Sequence, residues 1–151
     1  MNDVVLRVGT PADLDEMCRI ENAAHVHPWS RELLSREFET SWSRVCVAED
    51  EASGRLAGYI VTWLIAGVME VLDVATDPAR RREGIGRRLM IDAEAAARAA
   101  GASSATLEVR RSNTPASTLY ASLGYAHVGV RPRYYAPNNE DAFVMTKELS
   151  A

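Results

Sequence analysis

Five arginines and two glycines fall within Arg80–Met90, RRREGIGRRLM, in a chain whose formal net charge is −4. Glycine lets a backbone approach an anion closely. A helix start offers unpaired N–H groups and the positive end of a dipole. The stretch therefore reads as a cradle for a polyphosphate, as a solvated helix start, or as a nucleic-acid patch. A Walker loop requires a lysine and then Ser or Thr after the second glycine, and Arg87-Arg88 excludes it. A dinucleotide fingerprint requires a third glycine close to the strand end, and Leu89 stands in that position. Acid–base chemistry has three carboxylates to draw on. Glu108 sits in TLEVR, opposite in facing to Leu107 and Val109, near the C-terminal end of a strand where α/β ligands gather. An exposed edge charge paired with Arg110 is the competing reading of Glu108. Glu70 and Asp73 lie on an earlier strand, Asp73 deep enough to be a structural hydrogen-bonding group. The Tyr120 phenol can donate a proton or simply pack. His25 and His27 are two apart with no third ligand following, which argues against a metal.

These residues require a scaffold. Val4–Val8 reads as a strand. Thr10-Pro11 opens a helix, and Ser30 caps a second short one. Arg44–Glu49, Leu56–Ile65 and Val68–Thr76 read as three strands, with turns at Asp50–Arg55 and Gly67. A long alanine-rich helix follows over Gly86–Ala100, stopped by Gly101, then a strand over Ala105–Arg110. Thr114-Pro115 starts a helix to Leu123. Tyr125–Val130 and Phe143–Glu148 read as closing strands around a polar loop. The order β-α-α-β-β-β-α-β-α-β-β predicts a mixed α/β (α+β) fold, with an antiparallel front half and a strand–helix–strand crossover behind it.

With the loop placed between a proline-stopped strand and a helix start, Val74–Leu89 resembles the acetyl-CoA motif of the GNAT N-acetyltransferase superfamily. Arg81-x-x-Gly84-x-Gly86 matches each defined position. The resemblance implies the GNAT fold, a mixed sheet of about seven strands flanked by about four helices, as a single domain over residues 1–151. It implies acetyl-CoA as donor, coenzyme A as product and no metal. It also implies that the backbone of Arg81, Arg82, Glu83, Gly84, Ile85, Gly86 and Arg87 holds the pyrophosphate, and that Val74, Ala75 and Thr76 pair with the pantetheine arm.

Further segments narrow the likeness. LEVRRSN (Leu107–Asn113), LYASLGY (Leu119–Tyr125), Arg133-Tyr134-Tyr135 with Glu140-Asp141-Ala142, and His27-Pro28-Trp29-Ser30 are similar to the RimI family. Enzymes of that family acetylate the N-terminal alanine of a small-subunit ribosomal protein. Carried over, Glu108 becomes the general base, Tyr120 the general acid, and Asn113 and Tyr120 cofactor contacts. Trp29, Glu70, Tyr134 and Tyr135 become acceptor-side residues, Glu70 also a reserve base. Two positions depart from the family pattern: Asp73 stands where Asn is common, and Pro132 where a basic residue is common. Arg131 and Arg133 would repel a basic peptide, with Glu21, Glu140 and Asp141 positioned to offset them.

The chain has 151 residues, 47% hydrophobic and 25% charged, as expected of one globular domain. An acidic balance argues against a general nucleic-acid binder. Cys18 and Cys46 are far apart and read as reduced thiols. The start shows no signal-peptide character, and Leu56–Met69 is too short to span a bilayer. The expectation is a cytoplasmic protein, a monomer with an oligomer left open, with a protein or peptide N-terminus as partner and neither nucleic acid nor membrane; the alternatives are a GNAT enzyme acting on a small-molecule amine and a non-catalytic acyl-CoA-binding module.

Overall fold

The computed structural model describes residues 3–135 and 139–149. Its strands are β1 (Val4–Val8), β2 (Ser43–Asp50), β3 (Leu56–Ile65), β4 (Val68–Thr76), β5 (Ser104–Arg110), β6 (Ala126–Tyr135) and β7 (Glu140–Glu148). Its helices are α1 (Leu14–Ala24), α2 (Arg31–Glu37), α3 (Ile85–Ala99) and α4 (Thr114–Ser122). The strands form one sheet in the order β1-β2-β3-β4-β5-β7-β6. Only the β4–β5 pair is parallel.

Two cores sandwich the sheet. Along α3, Ile85, Leu89, Met90, Ala93 and Ala97 recur at helical spacing and pack with Met69, Val71 and Leu107 on one face. On the other, Met17 and Ile20 of α1 and Leu34 of α2 pack with Val47, Tyr59 and Val61. β3 feeds both cores, which is why its sequence is a continuous apolar run without alternation.

The first helix opens as anticipated at Thr10-Pro11, through a 3-10 turn over Pro11–Asp13. The Thr10 N–H donates to Asp13 Oδ2 at 2.8 Å, and Arg7 grips both oxygens of that carboxylate. The closing strands run further than the sequence suggests. Arg131–Tyr135 extends β6 instead of lying in a loop, although Pro132 and a left-handed Arg133 (φ 53°) interrupt it. β6 is an edge strand, so proline's missing N–H costs no ladder bond. The register slips between Arg131 and Tyr135, and the Arg133 N–H donates instead to Asp141 Oδ1 at 3.0 Å.

Two irregularities shape the site. β4 and β5 pair only from Val68↔Ser104 to Val71↔Leu107, so beyond that point the strands part. Within β4, Val61 of β3 faces Asp73 while Thr62 faces Val71, leaving Leu72 as a bulge. The bulge reverses the strand's parity. Met69 and Val71 face the α3 core with Val74, whereas Leu72 and Ala75 face the α1 core.

Candidate active site

Where β4 and β5 part, a cleft of about 640 Å³ opens. Asp73 and Val74 line one wall, and Glu108, Val109 and Arg110 the other. Trp29 and His25 close it from the α1–α2 connection, and Asn113 and Tyr120 from α4. Glu108 follows the last β4–β5 pair directly, so its carboxylate stands at the fork. Its ion-pair partner is Arg131, with Nε 2.6 Å from Oε2, and not Arg110. Arg110 instead pairs with Glu140 at 3.3 Å and lies over the Tyr135 ring at 4.3 Å. Glu108 therefore offsets the charge of Arg131 at the fork.

Tyr120 packs edge-on against Tyr125, with ring centroids 6.1 Å apart. Burial, then the negative charge of Asp73, pushes its phenol well above the ordinary tyrosine range, so it stays protonated and able to donate. Tyr135 lines the cleft and is pushed up to about 12, first by burial and then by Glu108. Tyr134 is half exposed at the rim and is raised by burial and by its proximity to Glu108. Glu70 lies outside the cleft lining. Its carboxyl is raised, chiefly by burial and then by the Glu108 charge.

At the other end of the open β4 edge lies the arginine–glycine loop. Arg82 (φ 68°) and Gly84 (φ 76°) are both left-handed. Such alternation turns successive N–H groups toward one concave side. α3 begins without a side-chain cap, and its first bond runs from the Arg88 N–H to the Gly84 carbonyl at 3.0 Å. The N–H groups of Ile85, Gly86 and Arg87 therefore have no partner inside the helix. The five arginines divide by role. Arg80 binds Glu83 and Asp50 at 2.9 and 2.8 Å and staples the loop. Arg87 donates to Ser122 Oγ at 2.6 Å, and Arg88 to the Val4 carbonyl at 3.0 Å. Arg81 and Arg82 are exposed and make no ion pair among the described residues. Among the described residues only the Arg80 charge is thus matched by carboxylates, and the other four leave the loop strongly positive.

Two anticipated contacts, at Ala75 and Ile85, can act only through backbone. The side chains of Ala75 and Ile85 are buried in the two cores. Glu83 is engaged by Arg80, and Asn113 Oδ1 caps α4 by accepting from the Ala116 N–H at 3.2 Å. Thr76 stands beside Gly86, its Oγ1 3.7 Å from where a Cβ on that glycine would lie.

A second cluster lies on the α1 side of the cleft. Glu21 lies in the last turn of α1 and His25, four residues on, caps its end, and the β4 bulge turns Asp73 toward them. His25 Nε2 is 3.2 Å from Asp73 Oδ1, 3.8 Å from Glu21 Oε1 and 3.2 Å from the Val74 carbonyl. The Tyr59 hydroxyl bonds Glu21 and reaches Asp73 at 3.2 Å, and the Trp29 N–H donates to Glu21 Oε2 at 2.9 Å. Burial, then the neighbouring Asp73, pushes Glu21 up to about 8. Contact with Asp73 raises His25. The expectation that the histidines lack further ligand-type neighbours fails here. His27 contributes nothing to the cluster; its members come from i, i+4 spacing on α1 and from a distant strand. The Glu21/His25 spacing was visible in the sequence, but their convergence with Asp73 and Tyr59 was not.

The cysteines take no part. Cys46 is buried in the sheet and pushed up to about 11, chiefly by burial.

A mixed sheet split between its parallel strands, with a left-handed glycine loop feeding a helix at the open edge, is the build of the acetyltransferase (GNAT) family, whose pattern matches residues 14–125. The chain belongs to that family and is an N-acetyltransferase by that membership. Among its relatives, the ribosomal protein bS18-alanine N-acetyltransferase of Salmonella typhimurium is 32% identical, over 91% of this chain and 93% of that protein. An uncharacterized Mycobacterium leprae protein is 33% identical over 96% of this chain, which spans only 41% of that protein's length. The crystal structure of the ribosomal-protein-S18-alanine N-acetyltransferase from Escherichia coli superposes with a TM-score of 0.90 at 27% identity, covering 98% of this chain and 95% of that one. Ard1 from Thermoplasma volcanium superposes with a TM-score of 0.89 at 25% identity, covering 99% and 100%. Among the described residues, no helix is long and apolar enough to cross a membrane.

Proposed function

We propose that the protein transfers acetyl from acetyl-CoA to the α-amine of a protein N-terminus, the N-terminal alanine of a small-subunit ribosomal protein being the acceptor that its relatives suggest. The observation that carries this reading is the fork itself. It sets a carboxylate, a protonated phenol and an open strand edge around one cleft, with an anion cradle at its end. The backbone N–H groups of Arg81–Arg87 hold the pyrophosphate. The free β4 edge at Val74–Thr76 pairs with the pantetheine arm and brings the thioester between the two walls.

The acceptor amine enters from the side of Trp29, Tyr134 and Tyr135. An α-amine titrates at about 7.7–8.0, so a modest base suffices. Glu108 takes the proton through water, and the neutral nitrogen attacks the carbonyl carbon. A backbone N–H near Val74 supports the developing oxyanion. As the C–S bond breaks, the Tyr120 O–H gives its proton to the departing thiolate. Both substrates are bound together, and no covalent enzyme intermediate forms.

The test is initial-rate acetylation of short peptides differing only in the first residue (Ala, Ser, Gly, Met), alongside small-molecule amines. Preference for one peptide N-terminus supports the reading. Turnover of small amines alone refutes the protein acceptor, and no turnover with any amine refutes the transferase.

A further inference from the structure

The acceptor wall carries a side-chain set that acetyl transfer does not require. We propose that Glu21, His25 and Asp73 form a binding site for a zinc-class divalent transition metal, and that the bound metal excludes the acceptor amine from the cleft. The three ligand atoms lie within 4.8 Å of one another. Zinc bonds of about 2.0–2.2 Å to nitrogen and oxygen place neighbouring tetrahedral ligands roughly 3.3–3.6 Å apart. The Nε2–Oδ1 separation of 3.2 Å and the Nε2–Oε1 separation of 3.8 Å bracket that edge, and the remaining carboxylate–carboxylate edge, within 4.8 Å, closes as the metal draws the two oxygens together.

The ligand set is selective. An imidazole with two carboxylates suits zinc and its neighbours, whereas calcium and magnesium prefer all-oxygen shells. The outer partners are in place as well. The Tyr59 hydroxyl bonds Glu21 Oε1 and reaches Asp73 Oδ2, and the Trp29 N–H fixes Glu21 Oε2 at 2.9 Å, so Oε1 faces the histidine with the phenol behind it. His25 Nε2 is the nitrogen turned to the carboxylates, so the metal takes the tautomer protonated at Nδ1. Glu21 and Asp73 are buried, while the His25 side chain is 31% exposed and lines the cleft. The fourth coordination position is therefore reached from the acceptor side. The metal neutralises two buried carboxylates that otherwise share one imidazole and one phenol.

Binding rests on this geometry alone; only the competition with the acceptor rests on the acetyl-transfer reading. Zinc binding is measured on the full chain by competition with a chromogenic zinc indicator, and cobalt spectra report the ligand type. One equivalent of zinc is expected in the wild type. Asp73→Asn, which installs the residue common in the related family, and His25→Gln should each weaken binding by at least ~10-fold while circular dichroism shows an intact fold. Zinc should raise KM for the acceptor peptide and leave KM for acetyl-CoA unchanged. The proposal is overturned by an absence of saturable binding up to about 0.1 mM zinc. It is equally overturned if both variants bind as the wild type does, or if cobalt shows thiolate charge transfer, which would place the ion on a cysteine. A chain that acetylates nothing but binds zinc through these residues refutes the function and leaves the site.

Discussion

Gly58 sits near the start of β3, far in sequence from the cradle, yet α3 packs against it. A methyl group added there would lie 2.8 Å from the Ala75 carbonyl oxygen, 3.0 Å from Ile85 Cγ2 and 3.4 Å from Leu89 Cδ1. The first contact is backbone of the strand that holds the donor edge. The second belongs to the first residue of α3. Neither relieves the clash by rotating a flexible tip, so Gly58→Ala must push α3 away from the sheet. Overpacking of this kind costs about 1–3 kcal/mol. For a chain of this size that lowers Tm by roughly 2–12 °C. The displaced helix start carries the N–H groups of the cradle, so coenzyme A affinity falls together with Tm. Gly86→Ala is the matched control. Its methyl group would meet Leu119 Cδ2 at 3.6 Å and Thr76 Oγ1 at 3.7 Å, ordinary contacts, and alanine favours helix. Tm should hold while coenzyme A binding weakens, because the methyl fills space beside the cradle. Thermal unfolding with calorimetric titration of coenzyme A reads both quantities. A Gly58→Ala protein that melts like the wild type, or a Gly86→Ala protein that loses as much Tm as Gly58→Ala, refutes the packing argument.

Three further outcomes follow from the geometry. Glu108→Gln and Tyr120→Phe should each cut kcat by about 10²–10⁴ and leave coenzyme A affinity unchanged, as single-turnover kinetics and titration will show; full turnover in either removes it from the mechanism. Gly84→Ala forces a side chain into a left-handed position (φ 76°) and should cost about 1–2 kcal/mol in urea unfolding, whereas unchanged stability would mean the loop adopts another course. Glu16 is held down to about 2, from an ordinary 4.5, first by Arg19 and then by Arg55. Its stabilisation is fully present above pH 4.5 and is lost as pH falls toward 2, by at most about 3 kcal/mol. Urea midpoints at pH 6 and pH 3 should therefore differ less in Glu16→Gln than in the wild type, and equal differences would contradict the assignment.

The shape of the loop proposed to hold the donor was largely legible from sequence because its signals are local. Proline at Pro78, the left-handed Gly84 and an uncapped helix start are neighbours in the chain, and the backbone chemistry follows from their order. The element order held for the same reason, since caps and turn residues punctuate nearly every boundary. The acceptor side was less legible because its contacts are long-range. Arg131 reaches Glu108 across β7, and the counter-ion suggested by proximity, Arg110, is engaged elsewhere. Pro132 read as a loop residue because a proline signals a break unless the strand is at an edge, and edge position is a property of the whole sheet. The grouping of Glu21, His25, Tyr59 and Asp73 depends on a bulge at Leu72, which adds no punctuation of its own to the sequence.

That bulge bears on how the chain should be compared with its kin. Along β4, Asp73 and Val74 are adjacent letters, but one serves the wall behind α1 and the other the strand edge beneath the donor. Counting by two, as an unbroken strand invites, exchanges their duties. An alignment that slips by one position across Leu72 would exchange Asp73 with an apolar neighbour. It would transfer the acceptor wall's identity to the donor's edge. Correspondence between this protein and its relatives is therefore better judged by which core each residue enters than by its place in the string.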